Sequence, residues 1–144
     1  MYHVDKAMND CDLLRACLRY LSSPPFISEG PCATANEVER RRIENPFISY
    51  AALHWHEHAH DQALRDPGNL DFIENFLRDS VNDAWTQLYE AYVLDKMGGL
   101  EGPLSDSLEF SCTKKDYLLD ELWKGLALYY AALFGFDLLV EKMI

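Results

Sequence analysis

The chain has 144 residues, 49% of them hydrophobic and 26% charged, which is typical of a soluble domain with a sizeable core. Its formal net charge of −11 argues against nucleic-acid and anionic-membrane partners, because both are bound mainly through lysine and arginine. The one basic cluster, Arg40 to Arg42, stands among Glu37, Glu39 and Glu44. We therefore expect neither a nucleic acid nor a membrane as the partner.

The four cysteines, Cys11, Cys17, Cys32 and Cys112, are scattered and contain no C-x-x-C pair of the kind that metal and redox sites use. We expect them to be reduced and mostly buried, which fits a cytoplasmic location. We expect no signal peptide, and the longest apolar run, residues 126–136, is too short to cross a bilayer.

Apolar residues recur at helical spacing through most of the chain, and strand-like alternation is scarce. The first amphipathic helix is predicted over residues 5–22. A proline-rich stretch then predicts a loop over 23–34. A short charged helix is predicted over 36–43, with Asn36 as its N-cap.

Asn45-Pro46 is a helix-start signal, since proline at the first helical position loses no hydrogen bond. This helix is predicted to run to Leu64, where "RDPGN" stops it. The remaining predicted elements are helices over 70–78 and 81–96, a connector over 97–107, and helices over 115–134 and 137–144 broken at Gly135. The pattern predicts an all-α protein built as a multi-helix bundle.

The stretch "NPFISYAALHWHEHAHD" places histidines at four alternate positions, His54, His56, His58 and His60. On a helix, at about 100° per residue, Trp55 lies within an apolar arc that has His54 and His58 at one edge. His56 and His60 lie beyond the other edge and are expected to be exposed. The arc consists of Phe47, Ile48, Ala51, Ala52, Trp55 and Ala59. Two histidine pairs that face different ways give too few ligands for a zinc site.

The segment "HEHAH" formally matches H-E-x-x-H, in which His56 and His60 would bind zinc and Glu57 would act as general base. A third ligand in the H-x-x-G-x-x-H manner is absent, since Ala63 occupies the glycine position. We therefore interpret this segment as a structural helix, and a small zinc metallopeptidase is the alternative hypothesis. No phosphate-binding glycine loop or G-x-S-x-G motif occurs, so we expect no catalytic residue and no cofactor.

Three stretches, "CLRYLSS" (17–23), "NPFISYAALHWHEHA" (45–59) and "LYYAALFGFDLLVEKMI" (128–144), resemble a helical region of fungal NACHT–ankyrin proteins. Those proteins are signalling ATPases of the NOD-like-receptor type, and the region lies between the nucleotide-binding half and the ankyrin repeats. The matching positions are Cys17, Leu18, Tyr20, Leu21, Pro46, Phe47, Tyr50, Ala51, Ala52, His54, Trp55 and His58. Asn45 and Ile48 depart mildly from the pattern, and His56 and His60 lie outside it.

The resemblance implies a non-enzymatic linker module that couples a nucleotide switch to a repeat sensor. Its partners would be proteins: the adjacent domains, the ankyrin repeats or a second copy of the chain. A free-standing acidic adaptor that meets a basic partner is a further alternative, suggested by the net charge of −11.

The end of the chain fits the two short antiparallel helices of an ankyrin repeat, with Gly135 at the turn. It lacks the Thr-Pro-Leu-His opening, so an ordinary helical hairpin is an equal alternative. We expect a bundle domain over 1–122 and an ankyrin-like helix pair over 123–144, packed on the same core. The candidate interaction residues, which cannot all point inward from one short helix, are Leu138, Leu139, Met143 and Ile144. We expect the isolated chain to self-associate through them.

Overall fold

The computed structural model describes residues 6–59, 61–79, 85–89 and 120–144, and every regular element in these ranges is helical. The elements are α1 (Lys6–Leu21), α2 (Pro24–Glu29), α3 (Ala35–Glu44), α4 (Phe47–His54), a 3-10 helix (Trp55–His58), α5 (Asp61–Leu64), α6 (Pro67–Asp79), α7 (Asp120–Leu133) and α8 (Asp137–Met143). Residues 85–89 form a further helical segment before α7. The predicted all-α class is confirmed. The predicted connector over 97–107, His60 and Cys112 lie outside the described residues.

Helix α1 is the element on which the N-terminal half is assembled. It packs against α4, the 3-10 helix, α5 and α6. Leu14, Cys17, Leu18 and Leu21 are buried, and their spacing of three and four residues places them on one helix face. Within the described part of the chain, no helix is both long and apolar enough to span a membrane.

The predicted loop over 23–34 is partly wrong, because α2 lies inside it. Pro24 and Pro25 occupy the first two helical positions, where the missing N–H groups cost no intrahelical hydrogen bond. Phe26 is buried in the core, and Gly30 ends the helix with a positive φ of 64°. The prolines therefore begin a helix here instead of excluding one.

Helices α3 and α6 both begin at capping side chains, and the start of each differs from its prediction. Thr34, rather than Asn36, caps α3, since its hydroxyl accepts from the Glu37 backbone N–H at 3.3 Å. Helix α6 begins three residues earlier than the predicted 70, because Pro67 is compatible with its first turn. The Asp66 carboxylate accepts from the Gly68 backbone N–H at 2.8 Å and thereby caps this helix.

Two buried side-chain amides join segments that are distant in sequence. The Asn69 amide accepts from Arg15 Nε at 2.8 Å and donates to the Ala63 carbonyl at 3.0 Å, which ties α6 to α1. The Gln87 amide accepts from the Cys32 N–H at 3.0 Å and donates to the Cys32 carbonyl at 2.9 Å. Both amides therefore have the hydrogen-bond partners that burial requires.

Helices α7 and α8 form a helical hairpin, packed against each other, at the C-terminal end of the described residues, and α7 also packs on α6. The turn is a Schellman motif: the N–H of Phe136 donates to the Ala131 carbonyl at 2.9 Å, and that of Gly135 to the Ala132 carbonyl at 3.1 Å. Gly135 has φ 72°, which side chains with a Cβ rarely adopt. The predicted helix pair with a break at Gly135 is confirmed, and its kinship to ankyrin repeats stays a prediction.

One hydrophobic cluster contains residues from both ends of the described chain. Leu14 of α1 and Trp55 of the 3-10 helix share it with Tyr130 of α7 and Leu139 of α8. The C-terminal hairpin is thus part of the same core as the N-terminal helices.

Candidate functional site

The histidine-rich stretch is not one continuous helix to Leu64, so that prediction is wrong. Helix α4 ends at His54, whose backbone leaves helical geometry at φ −122° and ψ −5°. The 3-10 helix Trp55–His58 follows, and Ala59, at φ −88° and ψ 59°, separates it from α5. A 3-10 helix has about three residues per turn instead of 3.6, so its side chains point differently from those of the predicted α-helix.

Trp55 is fully buried, as its place in the apolar arc predicted. Its ring lies 5.3 Å from Phe76 and Phe134, 5.7 Å from Trp85 and 5.9 Å from Phe136, measured between centroids. Its indole N–H is buried and has no hydrogen-bond partner among the described residues. Three of these contacts are edge-to-face, a geometry in which an N–H can point at a neighbouring ring and form a weak N–H···π contact.

The rest of the apolar arc behaves as predicted, with one exception. Ile48, Ala51, Ala52 and Ala59 are buried, whereas Phe47 is 38% exposed. Phe47 lies in the first turn of α4, and its ring is part of the exposed aromatic surface described below.

His56 is half-buried, so the prediction that it is exposed is wrong. Its ring stacks face to face on Phe134, with centroids 4.3 Å apart and planes 2° from parallel. Tyr89 covers its edge at 5.8 Å. Burial lowers the pKa of His56 from its ordinary value of 6.5, and the nearby Glu57 carboxylate opposes this effect. The burial of His56 results from a tertiary contact, because Phe134 directly follows α7 and is far from His56 in the sequence.

No three His, Cys, Asp or Glu side chains among the described residues are grouped so that they could hold a metal ion. The ring of His56 is packed between aromatic neighbours, and the Glu57 carboxylate is bound to His54 Nδ1 at 3.0 Å. His60, the other histidine of the formal zinc motif, lies outside the described residues, so the pair is not tested.

His58 links α1 to α4 through a chain of three side chains. Its Nδ1 lies 3.2 Å from Asp10 Oδ1, and its Nε2 lies 2.9 Å from the Tyr50 hydroxyl. The side chains of His58 and Asp10 are each 13% exposed. An ionised carboxylate only accepts, so in the neutral imidazole Nδ1 carries the proton and Nε2 accepts from the Tyr50 O–H.

Further rings extend from this hydrogen-bonded series along α4 to Tyr20 near the end of α1. Phe47 stacks on Tyr50 at 5.5 Å, and Tyr20 meets Phe47 edge-on at 5.1 Å. Tyr50 also contacts His54 at 5.1 Å. Because positions 47, 50 and 54 are three and four apart, they share one helix face. We call this surface the aromatic stripe; it consists of Tyr20, Phe47, Tyr50, His54 and His58.

The candidate interaction residues at the C-terminus divide into two groups. Leu139 is buried in the core, and Met143 is half-buried and packs against that core. Leu138 is 44% exposed and Ile144 92% exposed. Tyr129 and Leu133 of α7, which the sequence analysis did not select, are 56% and 49% exposed. We call the exposed set the hairpin face: Tyr129, Leu133, Leu138 and Ile144.

A surface groove of about 350 Å³ lies between α2 and α3, with charged residues on its walls. Arg41 in this groove already donates to the Gly30 carbonyl at 2.7 Å and pairs with Glu29 at 3.3 Å. Cys32 also lines the groove, but burial raises the pKa of its thiol, which keeps it protonated and unreactive. Burial likewise raises the pKa of Cys17 to about 11. These thiols are structural, and the groove presents no activated group.

Comparison with known proteins finds no family model, no curated protein and no solved structure that matches the chain. The resemblance to the helical region of NACHT–ankyrin proteins therefore stays a prediction. A functional proposal rests on the surfaces described above and on the sequence stretches that carry the resemblance.

Proposed function

We propose that the chain is a non-enzymatic helical interaction module of the NACHT–ankyrin type, which joins a nucleotide-dependent switch to a repeat sensor. The observation that carries the proposal is the hairpin face. Its four large apolar side chains are between 44% and 92% exposed. Tyr129 and Leu133 lie on α7, Leu138 lies on α8, and Ile144 directly follows α8. Apolar side chains grouped on a surface in this way mark contact sites more often than isolated ones do.

The partner that fits this face is a helical repeat. In repeat proteins each helical hairpin packs on its neighbours through apolar faces, so a stacking unit has apolar residues on both sides. The C-terminal hairpin has this character, because Tyr130 and Leu139 face the core while Leu133 and Leu138 are exposed. Asp137 and Glu141 are exposed on α8, which favours a partner with basic residues around an apolar centre.

The proposal places the module in the cytoplasm, with proteins as its partners and without a cofactor or catalytic residue. A net charge of −11 disfavours nucleic acids and anionic membranes. The zinc-peptidase alternative gains no support from His56, whose ring is stacked on Phe134 instead of facing solvent.

The experiment is light scattering of the purified chain over a concentration series, at high salt so that charge repulsion is screened. We expect weak self-association through the hairpin face. Leu138→Glu should abolish it. Ile43→Glu, which changes an equally apolar side chain that is 70% exposed on α3, should leave it unchanged.

A strictly monomeric wild-type chain at the highest concentration would contradict the proposal. An equal loss of association in Leu138→Glu and Ile43→Glu would contradict it too, because the hairpin face would then have no special role. Circular dichroism of each variant confirms that the helices are intact.

A further inference from the structure

The aromatic stripe lies on α1 and α4 and shares no residue with the hairpin face. It also differs in chemistry, since its exposed members are all rings, whereas three of the four residues of the hairpin face are aliphatic. Phe47 is 38% exposed, Tyr50 39%, and the His54 side chain 39%. Aromatic rings have a negative face, so their exposed faces attract cations and above all the planar guanidinium group of arginine.

Hydrogen bonding orients Tyr50 to accept from such a cation. Its O–H proton is directed to His58 Nε2 at 2.9 Å, because His58 Nδ1 is occupied with Asp10. The lone pairs of the Tyr50 oxygen are therefore left for a donor that approaches from outside. Arginine has five N–H donors in a fixed plane, so it can stack on one ring and donate to this oxygen.

The charges around the stripe have the sign that a basic ligand requires. Asp10 stands behind His58, and Glu57 is bound to His54 at 3.0 Å. Arg42 is held on another side of α4 by Ser49 at 3.1 Å and by Glu39. Arg19 is exposed beside Tyr20 in the sequence, which restricts the favourable region to the Phe47, Tyr50 and His54 end.

We propose that the aromatic stripe is a second docking surface, which binds arginine side chains of a basic, extended segment in a partner protein. The guanidinium groups stack on Phe47 and Tyr50 and donate to the Tyr50 oxygen. The net charge of −11 brings the basic segment to the molecule, and the stripe decides where it binds.

The probe is a glycine–serine peptide with interspersed arginines, titrated against the full chain by calorimetry. The matched peptide has citrulline at the same positions, which keeps the planar shape and removes the charge. We expect binding of the arginine peptide and none of the citrulline peptide. Phe47→Leu, which keeps an apolar side chain but removes the ring, should weaken binding about five-fold. Tyr50→Phe should weaken it as well, because it removes only the accepting oxygen.

Tyr129→Leu is the control, since it removes an exposed ring of the hairpin face. It should leave the affinity for the arginine peptide unchanged. Equal affinities of the wild type, Phe47→Leu and Tyr129→Leu would overturn the proposal, because attraction would then come from net charge alone. Binding of the citrulline peptide, or equally tight binding of an uncharged proline-rich peptide, would also overturn it.

Discussion

Trp55 is the side chain on which rings from three other parts of the described chain converge: α6, the segment 85–89 and the C-terminal hairpin. We expect Trp55→Ala to destabilise the protein by about 3–5 kcal/mol, because it removes a buried indole and leaves a cavity. Tyr129→Ala, at an exposed ring, should stay within about 0.5 kcal/mol of the wild type. Urea titrations of both variants measure the difference, and equal losses would contradict the central place of Trp55.

The stacking of His56 on Phe134 changes the expected effect of removing the His56 side chain. From the sequence alone its removal should be silent, because an α-helical wheel directs it to solvent. With an aromatic partner at 4.3 Å, we now expect His56→Ala to cost roughly 1–2 kcal/mol. A loss below about 0.5 kcal/mol in the same titrations would restore the original prediction of an exposed side chain.

The same histidine makes stability depend on pH. Burial lowers the pKa of folded His56, whereas the unfolded chain keeps the ordinary value of 6.5, so the unfolded state takes up more protons as the pH falls. The contribution of His56 is therefore fully present above pH 6.5 and is lost as the pH falls from there through the folded pKa. Thermal melts between pH 7.5 and 5.5 should show this loss, because this interval extends about one pH unit to either side of the ordinary histidine pKa.

His56→Phe keeps the ring stacked and cannot titrate, so its stability should fall less than that of the wild type over this interval. The hydrogen bond from Lys142 lowers the pKa of the Glu74 carboxylate, so the stabilising contribution of Glu74 is retained over this interval and is lost only at more acidic pH. Identical slopes for the wild type and His56→Phe would show that another group is responsible.

The C-terminal hairpin depends on one glycine at its turn. A Cβ at Gly135 would meet no atom within 4 Å, so the cost of a substitution comes from the backbone φ of 72° alone. We expect Gly135→Ala to destabilise by about 1–2 kcal/mol and Gly135→Asn by clearly less, since asparagine tolerates the left-handed region. Thermal melts compare the two variants, and an equal cost would mean that side-chain space decides instead.

Local signals in the sequence were sufficient where an element depends on its own residues. The spacing of Leu14, Leu18 and Leu21 predicted α1, and Gly135 predicted the turn before α8. The stretch around Pro67 predicts a helix end, whereas Pro67 occupies the first turn of α6, so the predicted start of this helix is too late. Proline is compatible with a helix start at Pro67 as it is at Pro46.

The break after His54 could not be read from the sequence, because it depends on contacts between distant segments. The stretch from Phe47 to Ala59 has helix-compatible residues throughout, and nothing local ends a helix there. The rings of Phe134 and Phe136, about 80 residues further along the chain, pack against Trp55 and His56 in the folded protein. For the same reason the aromatic stripe was missed, since it needs Tyr20 of α1 beside Phe47 of α4.

At the scale of the whole molecule, we propose two docking surfaces with different chemistry. The hairpin face is mainly aliphatic, and its proposed partner is a helical repeat, whereas the proposed ligand of the aromatic stripe is arginine. The stretch 45–59 contributes to both the core and the aromatic stripe. Ala51, Ala52 and Trp55 are buried, and Phe47 and Tyr50 are exposed. A linker that joins two parts of a signalling protein requires separate surfaces of this kind.

The most direct test of the central claim is to append one designed ankyrin repeat with a polar outer side after Ile144 and to follow thermal unfolding. We expect a single cooperative transition at a higher temperature than that of the chain alone, because stacked repeats stabilise their neighbours. Leu133→Glu with Leu138→Glu should remove the gain, and Ile43→Glu should retain it. Two independent transitions, with the original one unshifted, would contradict the assignment of the hairpin face as a repeat-stacking surface.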